Sequence, residues 1–409
     1  MKAGFAHRDI TPAASMKMAG FDRRKAPAAG RLDALQVSAL VLCDEQDGVL
    51  VLLGFDLLGL NTALCDAVRT AAAEACGLAP ECIWVSATHT HSGPTLPYPA
   101  QDAGVAAYIE ELLSRAAEAA AEALAAAVPA AAEFADAPVR GLTSLRNRGR
   151  AGSDFAMPMP VFRLHCGGQP LYFLRICCHP TVLNEQNLLY SADLVGRIRT
   201  ALGADALILN GACGDLSTRF TRRASDAAEL ERLGALPAQA ALRAAYTSAP
   251  AFGSRLRCAH RRFSLERWLG PQGEERTALM AAVRRKADAC TDTQALREYD
   301  SILAVLERPV AAPQTRQLCI SAAHLGSCIL LGIPFEMDHA DSLSLESRLT
   351  ALAGCPVYLI CYTGGAESYL PSGAPLTENS TYEDFAALFS PESRAQVQKY
   401  AEECVRELL

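Results

Sequence analysis

Three segments of this sequence place histidine, carboxylate or hydroxyl side chains directly after an apolar run. His89 and His91 follow CIWVSAT in SATHTHSGP, His179 follows LYFLRICC, and Asn210, Asp215 and Ser217 crowd the Gly-rich stretch LILNGACGDLS. Glu336, after ILLGIPF, adds a carboxylate in the same setting. Neutral imidazole is a common metal ligand. Catalytic zinc typically takes three protein ligands and leaves one position for water. Strand-end histidines with a carboxylate supply such a set, and the chemistry it points to is metal-assisted hydrolysis, in which the ion polarises a carbonyl and activates water. Residues two apart in a strand share a face, so His89 and His91 are expected to face one site. Ser217 beside Asp215 offers a second chemistry, a serine-type acyl hydrolase with a histidine as base, although no G-x-S-x-G occurs. In LRNRGR, Arg146 or Arg148 could bind a carboxylate or an oxyanion through its planar fork of donors. His7, His165, His260, His324 and His339 show no clustering and read as surface or core residues.

These residues need strands that end together. LDALQVSALVLCDEQDGVLVLLGFDLLGL reads as two strands around a DEQDG turn, and NTALCDAVRTAAAEACG as a helix with Asn61 as N-cap and Gly77 as its stop. With ECIWVSATHTHSGP as a further strand, the spacing is that of a βαβ unit with parallel pairing. A long helix is expected from Val105 to Ala127, before Pro129. MPVFRLHCGGQPLYFLRICCHP reads as a hairpin turning at Gly167-Gly168, and DALILNGACGD as a buried strand running into a loop. Residues 224–245 are helical in pattern, RLRCAHRRFSLE alternates as a half-exposed strand does, and 275–308 form one or two charged amphipathic helices. RQLCISAAHLGSCILLGIPFEM is a second hairpin, CPVYLICYTGG the last core strand, and PESRAQVQKYAEECVRELL a closing helix. The fold class is therefore α/β, with a mixed, largely parallel sheet core flanked by helices. Open α/β sheets bind ligands outside the carboxyl ends of their strands, so the polar strand exits are expected to share one pocket. With no repeat and no break in composition, residues 1–409 read as a single domain, with 265–312 as a helical insertion or subdomain.

Composition narrows the function classes. The 409 residues are 50% hydrophobic, enough for a sizeable core, and the formal net charge is −7, which excludes an overall basic nucleic-acid binder. Fifteen scattered cysteines without a C-x-x-C read as reduced, buried thiols. The opening MKAGFAHRDITP lacks an apolar h-region, and no stretch of about 18 apolar residues lacks charge. A cytoplasmic enzyme with a small-molecule substrate is expected.

Several ordered motifs resemble the catalytic domain of the neutral/alkaline, non-lysosomal ceramidases. They are AGFAHRDITP with MAGFDRR, LVLLGFDLLGL, ATHTHSGP, CHPTVL with SADLVG, NGACGDLS, and TGGAESYLPS with TYED. The resemblance implies a zinc ion held by His89, His179, Glu336 and Tyr369, with His91 beside the metal-bound water or the substrate. It implies Arg148 and Tyr382 as groups near the reacting carbonyl, and it matches Ser217 to a serine once regarded as a nucleophile in the family. The implied activity is zinc-dependent hydrolysis of an amide, of the N-acyl or ceramide-like kind. A non-catalytic metal-binding homologue is the other reading. The sequence departs from the family pattern at Thr218-Arg219, where the family has Pro-Asn, and at Pro334-Phe335-Glu336-Met337, where it has Pro-Gly-Glu-Phe. The second departure makes Asp338 the alternative ligand to Glu336. The sequence ends soon after the tyrosine motifs, so the family's immunoglobulin-like C-terminal domain is not expected.

Overall fold

The computed structural model describes residues 1–46, 48–146, 156–168, 170–247, 251–308 and 314–409. The apolar run Val49–Phe55 forms a strand covered on both faces, and its alternate residues serve two cores. Leu50 and Leu52 join Leu40, Leu42 and Trp84 between the sheets, against Phe162, Phe173, Leu207 and Ile360. Val51, Leu53 and Phe55 point the other way, into a core shared with the helices Thr62–Cys76 and Ala103–Ala125. Asn61 caps the first of these by accepting from Leu64 N at 2.9 Å, and Gly77 ends it in the left-handed region at φ 64°.

Three mixed sheets surround the inner core. The first runs from Ile83–Ala87 through Val49–Phe55 and Gln36–Cys43 to Lys2–Asp9, with Val128–Pro129 at its edge. The second orders Ala206–Asn210, Leu171–Ile176, Pro160–His165 and Ala131–Asp136; the third orders Phe252–Glu266, Thr315–Gly326, Ile329–Gly332 and Val357–Ile360. The α/β class with mixed sheets is as expected. The predominance of parallel pairing is not: each of these sheets holds one parallel pair, and its other ladders are antiparallel. Both hairpins and the DEQDG turn enforce antiparallel neighbours, because strands joined by tight turns must reverse.

The three parallel pairs are Val49–Phe55 with Ile83–Ala87, Leu171–Ile176 with Ala206–Asn210, and Ile329–Gly332 with Val357–Ile360. Their six carboxyl ends converge. Cys361 N donates to Asn210 O at 2.9 Å, Gly364 N to Val85 O at 2.8 Å, and Ala87 N to Tyr362 O at 3.3 Å. The buried Asn210 side chain donates to Thr88 O at 3.2 Å and to Cys178 O at 3.1 Å, clamping two exits together. The helices Gly273–Ala289 and Thr293–Glu307 build a small apolar cluster with Phe385 beside this end of the molecule. All fifteen cysteines are free thiols, and among the described residues no helix is long and apolar enough to cross a membrane.

Arg175 stands in the core at 1% exposure, bonded to Glu346 of the helix His339–Ala353, to Leu359 O at 3.2 Å and to Pro158 O at 3.1 Å. Removing one partner of a buried pair strands the other charge, at a cost of about 3–5 kcal/mol. Glu346→Ala is therefore expected to lower the urea midpoint by that amount of stability. A loss under about 1 kcal/mol, the range of an exposed pair, would show that water reaches the guanidinium.

Candidate metal centre and active site

Each of the six converging strand ends contributes to one cluster. His89 follows Ile83–Ala87 after a single residue, and its backbone sits in the left-handed region at φ 70°, with its N–H on Leu57 O at 2.9 Å. The strand has already ended, so His89 and His91 meet by a turn and not by strand alternation, as the H-x-H spacing had suggested. His179 follows Leu171–Ile176, and its N–H donates to Leu216 O at 3.1 Å beside Ser217. Glu336 follows Ile329–Gly332 and pairs by backbone with Tyr369: Glu336 N donates to Ser368 O at 3.0 Å, and Leu370 N to Glu336 O at 2.8 Å.

Backbone carbonyls orient both imidazoles. His89 Nδ1 lies 2.7 Å from Leu58 O, and His179 Nδ1 lies 2.6 Å from Cys213 O and 3.0 Å from Leu216 O. A carbonyl can only accept, so Nδ1 carries the proton in each ring and Nε2 presents a lone pair. Those lone pairs meet one carboxylate: His89 Nε2 is 3.4 Å from Glu336 Oε2, and His179 Nε2 is 3.0 Å from Glu336 Oε1. Burial pulls the His89 imidazole down to about 4. Burial works against charge on Glu336, but the adjoining imidazoles and Arg146 outweigh it and bring that carboxyl down to about 2. Both shifts leave neutral imidazole beside ionised carboxylate at neutral pH.

Beside the Arg146 guanidinium, which reaches His179 Nε2 at 3.1 Å, this convergence of nitrogen and carboxylate oxygen atoms is suited to a cation. His89, His91 and His179 offer nitrogen atoms within 4.8 Å of one another, a group that could hold a metal ion. Both His91 ring nitrogens and Glu336 Oε1 are buried without a hydrogen-bond partner. This mixture of imidazole and carboxylate donors fits zinc. The carbonyls behind each Nδ1 supply the outer support that fixes ligating histidines.

Tyr369 and Tyr382 stand on the same cavity, their rings 6.2 Å apart. Tyr382 opens the short helix Tyr382–Ala386, which Thr381 and Asp384 cap reciprocally. Asp338 does not join the cluster; it begins the helix His339–Ala353 near Asp215, so of the two candidate carboxylates Glu336 is the one between the histidines. Arg148 lies outside the described residues. The arginine at the centre is Arg146, whose backbone N–H holds Asp215 O at 2.8 Å. Its guanidinium reaches His179 Nε2 at 3.1 Å, Tyr369 OH at 2.6 Å and Glu383 Oε1 at 2.9 Å. Ser217 lines the cavity, but its Oγ accepts from Arg219 N at 3.2 Å. No hydrogen bond joins it to a histidine among the described residues. Asp215 is engaged instead by His339, through N at 2.8 Å and through Nδ1.

Four further residues shape the site without having stood out in the sequence. Tyr362 stacks on His89 at 4.2 Å and 13°, and Phe21 meets His91 edge-on at 4.9 Å. Buried Arg24 donates to His91 O at 2.7 Å. Gly20, at φ 93°, backs the His91 ring so closely that a Cβ there would lie 2.4 Å from its Cγ. The motif MAGFDRR carried the signal for three of them, as a segment whose Gly, Phe and Arg had no other explanation. Gly20→Ala is expected to push His91 aside and lower kcat/KM by about a hundredfold, the usual effect of a small misplacement at a reacting centre. Circular dichroism should stay unchanged, and wild-type kinetics in the variant would remove His91 from the machinery.

No family model and no curated protein matches the chain by sequence. Its fold, however, is shared along the whole length with solved structures. The neutral ceramidase from Pseudomonas aeruginosa superposes with a TM-score of 0.79 at 18% identity, covering 99% of this chain and 74% of that one. A ceramidase complexed with C2 gives 0.78 at 18% identity, covering 100% and 75%.

Proposed function

We propose that this protein is a zinc-dependent amidohydrolase that cleaves a linear C–N bond in an N-acyl amide. The observation that carries the reading is the arrangement of two carbonyl-anchored histidines whose Nε2 lone pairs converge on the Glu336 carboxylate. The shared fold with ceramidases supports the same reaction class.

In this reading His89, His179, Glu336 and Tyr369 hold the ion. Zinc, when bound, supplies a Lewis acid for the amide carbonyl and lowers the pKa of water. The chain's own residues do the rest. Water adds across the C–N bond, its oxygen ending on the acyl carbon and one of its protons on the departing nitrogen. His91, half-buried and held neutral, with both ring nitrogens out of reach of solvent and unpartnered among the described residues, moves that proton. The Tyr382 hydroxyl and Arg146 would donate to the developing oxyanion, where preorganised donors contribute most, with Arg148 in the same role by the family resemblance. Tyr362 and the carbonyls of Leu58 and Cys213 keep the ligand rings from turning.

The test is hydrolysis of an N-acyl amide panel by metal-loaded protein, with and without chelator. Activity should vanish on chelation and return with zinc, and Ser217→Ala should retain activity within about threefold, since a hydroxyl without a base contributes little. Chelator-resistant hydrolysis abolished in Ser217→Ala would overturn the proposal in favour of serine chemistry.

A further inference from the structure

The lone pair of His179 Nε2 is already in use. A guanidinium can only donate, and a terminal nitrogen of Arg146 lies 3.1 Å from that atom, so the imidazole accepts. The tautomer agrees, because Nδ1 of the same ring keeps its proton on Cys213 O at 2.6 Å. The other terminal nitrogen of Arg146 donates to Tyr369 OH at 2.6 Å and lies 3.8 Å from Glu336 Oε1. One guanidinium thus meets three of the four side chains that the proposed function gives to the ion. An imidazole Nε2 has a single lone pair, which can take an N–H or a metal but not both. Ligation by His179 and its hydrogen bond from Arg146 are therefore mutually exclusive.

The guanidinium satisfies this centre only in part. Its reach of 3.8 Å leaves the buried Glu336 Oε1 without a hydrogen-bond donor, and both His91 ring nitrogens are also unpartnered. Its firmest hold lies elsewhere. Arg146 Nε donates to Glu383 Oε1 at 3.0 Å, and a terminal nitrogen lies 2.9 Å from the same oxygen. Glu383 belongs to none of the assigned ligands, so the terminal nitrogens can leave His179 and Tyr369 while Nε stays on its carboxylate. The ceramidase resemblance gives a role to Arg148 and none to Arg146, so this device is read from the geometry of this chain alone.

We propose that Arg146 is a built-in competitor of the metal: its guanidinium holds His179 and Tyr369 until an ion takes them, then withdraws on Glu383. The proposal rests on the metal reading of the site. The test is the zinc dissociation constant, measured by competition with a chromophoric chelator, for wild type, Arg146→Ala and the double variant Arg146→Ala/Glu383→Gln. The double variant loses one charge of each sign, so it keeps the net charge of the site and removes the carboxylate that the single variant leaves buried and unmatched. Both variants are expected to bind zinc about ten- to a hundredfold tighter than wild type, the range of a charge-assisted hydrogen bond that the ion no longer has to displace. An arginine that only supported the fold would give the opposite sign, since its loss would loosen the ligands. Equal or weaker zinc binding by the double variant, with circular dichroism as in wild type, would overturn the proposal and leave the metal reading in place. Zinc taken up by wild type and by neither variant would overturn it too, and zinc taken up by none of the three would overturn both. A crystal structure of zinc-loaded wild type gives a check that needs no substitution. Arg146 should be off His179 Nε2 and still on Glu383, and an Arg146 that keeps its hydrogen bond to His179 Nε2 beside bound zinc would overturn the proposal.

Discussion

His89→Ala and His179→Ala are each expected to bring zinc content close to zero and to lower kcat/KM by on the order of a thousandfold, since a Lewis acid at the carbonyl contributes several kcal/mol and each ~1.4 kcal/mol is a factor of ten. The two substitutions should act alike although the residues lie on different sheets, because each Nε2 meets a different oxygen of the same carboxylate. Both variants should fold, since neither ring belongs to an apolar cluster. Adding zinc in excess should restore part of the activity if the remaining ligands still bind weakly. A variant that keeps both its zinc and its turnover would remove that histidine from the ligand set.

Arg146→Ala is expected to have the largest combined effect on stability and activity. Arg146 ties His179, Tyr369 and Glu383 together, and its loss leaves the buried Glu383 carboxylate unmatched. Burial already raises that carboxyl, with Arg146 as the main opposing influence. Breaking a buried charge pair costs about 3–5 kcal/mol, and losing an electrostatic donor at the reacting centre costs about a hundred- to a thousandfold in kcat. Arg146→Lys should rescue little, because one ammonium cannot reproduce three contacts made by a planar fork. Adding Glu383→Gln to Arg146→Ala should return part of the stability and none of the rate, a coupling read directly by a double-mutant cycle in urea. If Arg146→Ala unfolds at the wild-type midpoint, the Glu383 carboxylate is not confined as described.

Much of this was legible in the sequence, for local reasons. Asn61 and Gly77 mark both ends of a helix through capping and left-handed backbone, and the apolar runs on either side of it can only be strands. A polar residue directly after such a run stands at a strand end whatever the sheet does next, which is why His89, His179 and Glu336 could be read as one pocket. Pairing partners were less legible, because they depend on segments far away in sequence. Lys2–Asp9 pairs antiparallel with Gln36–Cys43, and the core divides among three sheets. Side-chain partnerships across long separations were not legible at all. Arg146 is chosen as the central arginine by Glu383 and Tyr369, more than 200 residues away. His339 passed for a scattered histidine because its partner, Asp215, lies 124 residues earlier. His91 owes its position to Gly20 and Arg24, which no spacing rule connects to it.

X-ray absorption at the zinc edge of the purified wild-type protein tests most directly whether a zinc ion is held among the imidazole and oxygen donors, as proposed. The expected result is about one zinc per chain with a first shell of nitrogen and oxygen alone, at roughly 2.0–2.2 Å. This protein carries fifteen free thiols, one of them, Cys213, with its Sγ 3.2 Å from the hydroxyl of the tyrosine that stacks on His89. A sulfur shell near 2.3 Å, or a protein that takes up no zinc at all, would contradict the account.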